Sequence, residues 1–246
     1  MFDEKIFWAY GLKDFLFLCY NVFIGGEYMF DKISKDLELN EIYRKIETHE
    51  YNKSFWTYHG LRHVNKVIQT VEDTLRLLNY DDEFIENAKI AAFLHDLGML
   101  EGKDGHDIRS YEIAKRYFED NKIDLKYKEE ILEAIKLHRN GFDSDNVMAV
   151  VLIFADKIDM SKSRLAHNGY AIVGLRQYQY IDDVIVTKDG NNLVVQFLVD
   201  DKCDKEELEG WYFVPKVFNA IHSFADHFGF DVNILWNDEE WTFVAD

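Results

Sequence analysis

Two stretches of this chain are too apolar to lie anywhere but in a core, and each leads into an ionisable side chain. Ile90 to Leu94 runs without a polar residue into His95-Asp96, and Val150 to Phe154 runs into Ala155-Asp156. Both sit in helical periodicity, so each reads as a helix buried nearly all round with a charge at its end. Burying a carboxylate beside an imidazole is costly unless the pair is hydrogen bonded or holds a cation. A metal ion resolves the conflict, because it neutralises the carboxylate and occupies the imidazole. Separate buried helices thus deliver His or Asp at apolar positions.

Further donors follow the same pattern. Five of the nine histidines lie between residues 59 and 138. His59 and His63, four apart in Tyr58-His59-Gly60-Leu61-Arg62-His63, share a face if the helix already includes His59. His106 stands in Gly105-His106-Asp107-Ile108, and His138 ends the run Ile131–Leu137. Singly, each has an ordinary reading: His138 as a helix-end histidine, Asp156 as a buried cap. Together, imidazole and carboxylate without thiolate suit Mn, Fe, Zn or a similar first-row ion, and admit Mg.

In order and spacing these residues resemble the HD-domain superfamily of metal-dependent phosphohydrolases, whose signature is H…HD…D. The resemblance covers roughly residues 55–165, including the H-x-x-x-H element, the apolar helix before His95-Asp96, and Ala155-Asp156-Lys157-Ile158-Asp159. It implies His63, His95, Asp96 and Asp156 as ligands of a first divalent ion. His106 and His138 match the ligands of a second in two-metal members, with Asp96 bridging. Two ions are therefore favoured over one. The segment from Tyr58 to His63 is similar to the Y-H-N-x-x-H motif of cyclic-nucleotide phosphodiesterases, which implies His59 as proton donor. Basic residues near the motifs must help to hold an anionic substrate: Arg62, Arg109, Arg139 and Lys162 are candidates, with Lys157 and Arg164 first. His59, Asp96, Lys157 and Arg164 form the expected catalytic set.

Such a site activates water and offsets charge on phosphate oxygens, so the expected activity is hydrolysis of a small phosphate ester, a nucleotide or a related monoester or diester. Departures from relatives leave the substrate open. Met99 stands where many two-metal members carry Lys, Gly60 where the phosphodiesterases carry Asn, and no GYP element or acidic pair follows His95-Asp96. Two alternatives remain: an HD-fold mixed-valence di-iron oxygenase, and a nucleotide-sensing module without catalysis.

Around this centre the chain reads as mainly α. Helical spacing runs through Phe2–Tyr20, Tyr28–Ile46, Leu61–Leu78, Phe84–Leu94, Ile108–Phe118, Tyr127–Leu137 and Val147–Met160, with Asp81 and Asp143 as N-caps and Asp107 starting its helix. Then Val184–Thr187 and Leu193–Val199 flank Lys188-Asp189-Gly190-Asn191, a hairpin signal. Pro215 suits the first turn of a helix that Gly229 closes, and Val232–Trp236 and Trp241–Val244 read as strands. The expectation is an all-α HD core over residues 1–178 and a small β-β-α-β appendage over 179–246. His222 and His227 in the appendage read as packed or surface residues.

Charge supports that division and excludes some partners. The chain has 28 basic and 46 acidic residues, a net charge of −18. Residues 179–246 hold 15 acidic and only 4 basic side chains. Binding to nucleic acid or to an anionic membrane needs clustered Lys and Arg, so neither is expected as a partner. The substrate should instead be small and held by metal and a few local cations. Cys19 and Cys203 form no metal or disulfide motif. Ile6 to Ile24 is apolar but interrupted by Lys13 and Asp14 and lacks a signal-peptide start, so a buried amphipathic helix and a cytoplasmic location are expected.

Overall fold

The computed structural model describes residues 28–52 and 55–243. The expected helix Phe2–Tyr20, Cys19 and the end of the last expected strand, Val244, lie outside the described residues. The described chain is mainly α with a small α/β region after it. Its helices are α1 (Met29–Ser34), α2 (Leu37–Asn52), α3 (Leu61–Leu77), α4 (Asp82–Leu94), α5 (His106–Asp120), α6 (Lys128–Leu137) and α7 (Val147–Ile158). Short 3-10 turns between 162 and 180 lead to β1 (Ile181–Asp189) and β2 (Asn192–Val199). There follow α8 (Lys205–Glu209), α9 (Val214–Phe228), β3 (Asp231–Trp236) and β4 (Glu239–Glu240).

The helices form where apolar spacing demands them. In α3 the buried positions are His63, Val64, Val67, Ile68, Val71, Thr74 and Leu75, one continuous stripe. Asp81 caps α4, its side chain accepting the Phe84 amide at 2.8 Å. Both fully apolar runs are buried: Ile90–Leu94 ends α4, and every residue from Met148 to Ile158 in α7 is inside.

Four expectations need correction. Tyr28–Ile46 is two helices, because Asp36 accepts the amides of Glu38 and Leu39 at 2.9 and 3.1 Å and restarts the chain as an N-cap does. Asn146 rather than Asp143 caps α7, accepting the amides of Met148 and Ala149. Helix α5 begins one residue before Asp107, at His106. The last pairing strand is Glu239–Glu240, not Trp241 onward; Trp241 is a buried ring packed on Phe197 and Phe218.

The sheet has the order β1-β2-β3-β4. β1 and β2 form the expected hairpin, with Asp189 opposite Asn192 across the turn. β2 and β3 are parallel, as a helical crossover through α9 requires. Pro215 sits in the first turn of α9 and Gly229 closes it. α9 packs on α7 through Phe224 and Phe154, whose rings stack at 4.3 Å, so the helices and the sheet share one apolar cluster. Among the described residues no helix is long and apolar enough to cross a membrane. His222 and His227 are exposed on α9.

Candidate metal centre

Five helices end or begin at one buried point. His63 comes from the first turn of α3, His95 and Asp96 follow α4, His106 opens α5, His138 follows α6, and Asp156 lies in the last turn of α7. All six are buried. The site therefore depends on helix packing more than on any loop.

The imidazoles share one orientation. The Nδ1 of His95 lies 2.7 Å from the Ala92 carbonyl, that of His106 2.7 Å from Lys103 O, and that of His138 2.6 Å from Ile135 O. His63 Nδ1 lies 2.7 Å from Asp159 Oδ2. Carbonyl oxygens can only accept, so in three of the rings Nδ1 must carry the proton. The same holds for His63 against an ionised Asp159. Each Nε2 is then left with a lone pair facing inward.

What these nitrogens meet is mostly other acceptors. His63 Nε2 is 3.1 Å from Asp156 Oδ1 and 3.6 Å from Asp96 Oδ2, and His95 Nε2 is 3.2 Å from Asp96 Oδ2. On the other oxygen of Asp96, His106 Nε2 and His138 Nε2 stand at 3.4 and 3.7 Å, and are 2.9 Å from each other. His63 Nε2, His95 Nε2 and Asp96 Oδ2 are buried without a hydrogen-bond partner. An orphaned buried acceptor costs roughly 1–3 kcal/mol, so this convergence needs a cation. Two groups have metal-ligand proximity, His63-His95-Asp156 and Asp96-His106-His138. The donor set fits a divalent ion, and Nδ1 bonding of this kind is how metal-ligating histidines are held.

Charges are consistent with this arrangement. Burial opposes ionisation of Asp96; His95 and His138 hold its carboxyl well below the usual range only when their Nε2 atoms carry protons, and with those nitrogens bare a cation takes over that part. Burial likewise opposes Asp156, yet Lys157, His63 and Arg164 keep it ionised. Burial pushes His106 down to about 4, which keeps its imidazole neutral as a ligand must be.

The other expected residues divide. Lys157 is buried, donating to Asp156 Oδ2 and, at 3.2 Å, to the His138 carbonyl. Arg164 Nη2 is 3.6 Å from Asp156 Oδ1, while its Nη1 is buried with no partner. Lys162 turns outward to Asp182. Arg109 holds the carbonyls of Gly98, Gly102 and Asp104, a structural clamp. Arg139 reaches Asp104, and Arg62 lies beside a separate cavity with Glu47 and Tyr51. Met99 is buried in apolar packing.

His59 is beside the centre but not on the helix. α3 starts at Leu61, and the rings of His59 and His63 meet edge-on at 6.2 Å. Gly60 is the reason for the missing asparagine. A Cβ there would stand 2.1 Å from Glu47 Cγ, and Glu47 Oε1 accepts the Leu61 amide at 2.9 Å in place of a local cap.

Two residues escaped the sequence reading. Glu50 of α2 lies 2.6 Å from His59 Nδ1 and accepts the His59 amide. Its spacing from Leu39, Tyr43 and Ile46 places it on the buried face of α2, which was the available signal. Burial raises its carboxyl to about 7, while burial and Arg164 push His59 well below its usual value. Asp159, three residues after Asp156, is the other; its carboxylate faces His63 and accepts from Ser161 Oγ.

Comparison with known proteins agrees with this geometry. Residues 60–161 match the family model of the HD domain, a segment holding all six candidate ligands and Asp159. Over 158 residues the chain is 23% identical to an uncharacterized protein of Methanocaldococcus jannaschii, covering 55% of this chain and 61% of that one. The match thus spans less than two thirds of the relative's length. HD domains are for the most part metal-dependent hydrolases that bind divalent ions. Residues 60–161 are thus similar to an HD domain in sequence and carry its candidate ligands at one point in the fold.

Proposed function

We propose that the protein is a cytoplasmic metal-dependent phosphohydrolase acting on a small phosphate ester, a nucleotide or a related monoester or diester. The common orientation of four buried imidazoles, each with Nδ1 on a protein oxygen and Nε2 turned toward Asp96 or Asp156, carries this reading. His63, His95, Asp96 and Asp156 would hold one divalent ion. His106, His138 and the second oxygen of Asp96 would hold another. Bound there, the ions would supply Lewis acidity, activating water and offsetting charge on phosphate oxygens.

The remaining side chains position and move protons. Arg164 offers its unpartnered Nη1 to a phosphate oxygen, a contact suited to a planar guanidinium. Lys157 is committed to Asp156 and the His138 carbonyl, so it holds that carboxylate in place and adds positive charge beside the phosphate. His59, neutral in the free site, would give its Nε2 proton to the leaving oxygen while Glu50, whose carboxyl is raised to about 7, fixes the ring and supplies a proton to Nδ1. The small substrate is held locally against an acidic surface.

The test is elemental analysis of the purified protein together with phosphate release from a panel of nucleotides and phosphomonoesters. Asp96→Ala should lose bound metal and about 10²–10³-fold or more in kcat. Metal-replete protein that releases no phosphate across the panel sinks the proposal. Strict iron dependence with oxygen consumption would indicate the oxygenase instead, and tight nucleotide binding without turnover the sensor.

A further inference from the structure

Beside the candidate centre lies a cavity of about 210 Å³ whose lining includes Trp56, His59, Lys103, Trp211 and Tyr212. Most of its aromatic wall lies outside the HD segment: Trp56 precedes residues 60–161, and Trp211 and Tyr212 follow them. The rings of Trp56 and Trp211 meet at 6.1 Å and those of Trp211 and Tyr212 at 4.4 Å. Lys103 Nζ donates to Tyr212 Oη at 3.2 Å.

This wall is tied to the centre on both sides. The Tyr58 amide donates to the Arg164 carbonyl at 2.9 Å, and the Ala166 amide to that of Trp56 at 3.0 Å, so Trp56 is fixed to the segment that delivers Arg164. Lys103 is fixed through its own carbonyl, which accepts from His106 Nδ1. Gly174, at φ 82°, lets its loop close on Trp211; a Cβ there would stand 2.8 Å from Trp211 Cβ. Yet Trp56 and Tyr212 remain 43% and 50% exposed. Large aromatics left open at the rim of a cavity mark a ligand surface.

We propose that Trp56, Trp211 and Tyr212 bind a planar ring of the substrate, so that the protein selects phosphate esters whose alcohol portion carries a flat aromatic or heteroaromatic group. The cavity is smaller than the roughly 300–1,000 Å³ that takes a whole ligand, and so suits one ring system. His59 stands in the same wall, so the leaving oxygen and the ring approach from one side. Residues 211–212 thereby give the C-terminal region a part in specificity. The inference rests on the phosphohydrolase reading for its chemistry, and on the cavity alone for its ring.

Adenosine 5′-monophosphate and ribose 5-phosphate share a leaving oxygen and differ in the ring, so the ratio of their kcat/KM values tests it. Ring stacking on aromatic side chains corresponds to roughly 5- to 150-fold. The wild-type ratio should therefore favour the nucleotide by about ten-fold or more, and Trp56→Ala and Tyr212→Ala should each lower it several-fold. Both side chains are half exposed, so the variants should fold, which circular dichroism checks. A wild-type ratio near one, or a ratio unmoved in both variants, overturns the proposal while leaving hydrolysis intact. Should neither compound be turned over, calorimetry with adenosine 5′-monophosphate decides: binding weakened by both variants supports the ring site, and absent or unweakened binding overturns it.

Discussion

The helical segment and the sheet segment solve burial in opposite ways. Among the described residues, the buried side-chain atoms without a partner belong to His63, Thr74, Asn87, His95, Asp96, Asp107 and Arg164, all before residue 165. The sheet region pairs its groups: Asn237 bridges Val199 in both directions, and the Trp241 indole donates to Glu209. The helical segment is also the less acidic of the two. Polar atoms left unmatched in a packed core cost stability, and four of those atoms lie at one point. The helical segment concentrates that cost at the candidate metal centre, whereas the sheet segment pairs its polar groups.

That contrast can be broken most forcefully from the sheet side. Phe197 is fully buried against Trp241, and Phe197→Ala should cost roughly 3–5 kcal/mol of stability by denaturant unfolding. Folded variant should keep its metal content and its kcat/KM, since nothing at the centre touches Phe197. A folded variant that has lost its metal would show the two regions to be one functional unit.

Chelation probes the same contrast from the other side. An ion present at 100 times its Kd stabilises the folded state by about 2.7 kcal/mol. In a chain of this size its removal should lower Tm by about 5–10 °C. The drop should persist in Phe197→Ala but shrink in Asp96→Ala. Equal melting of chelated and metal-replete protein would mean that the unmatched acceptors at His63, His95 and Asp96 are no binding site.

How much of this was legible depended on whether a residue's partner was near in sequence. The apolar runs before His95 and Asp156 announced buried helix ends, because burial there follows from composition alone. The hairpin, Pro215 and Gly229 were readable from local turn and cap chemistry. The break at Asp36 was not, since apolar spacing continues through it and only the side chain of Asp36, accepting the amides of Glu38 and Leu39, starts a second helix. Glu50 pairs with His59 across a loop, and Gly60 makes room for Glu47 from another helix; both are tertiary facts. The aromatic wall joins Trp56 to Trp211, 155 residues apart, and no local pattern connects them.

Asp159 gives the smallest and most discriminating effect. Its carboxylate accepts from His63 Nδ1 at 2.7 Å, is itself 5% exposed, and takes a second bond from Ser161 Oγ. Burial opposes its charge, but the bond from His63 and the nearby Arg164 keep it ionised below the usual carboxyl range. It therefore acts through His63, turning Nε2 toward Asp96 and Asp156 rather than touching the ion. Loss of such a partner weakens metal binding by about 10–100-fold. Asp159→Ala should do so in a competitive chelator titration, because the His63 ring loses its acceptor. Asp159→Asn can still accept through Oδ1 and should recover much of the affinity. If Asp159→Ala binds metal as the wild type does, His63 is held by packing alone; if both variants lose affinity equally, charge rather than orientation is what Asp159 contributes.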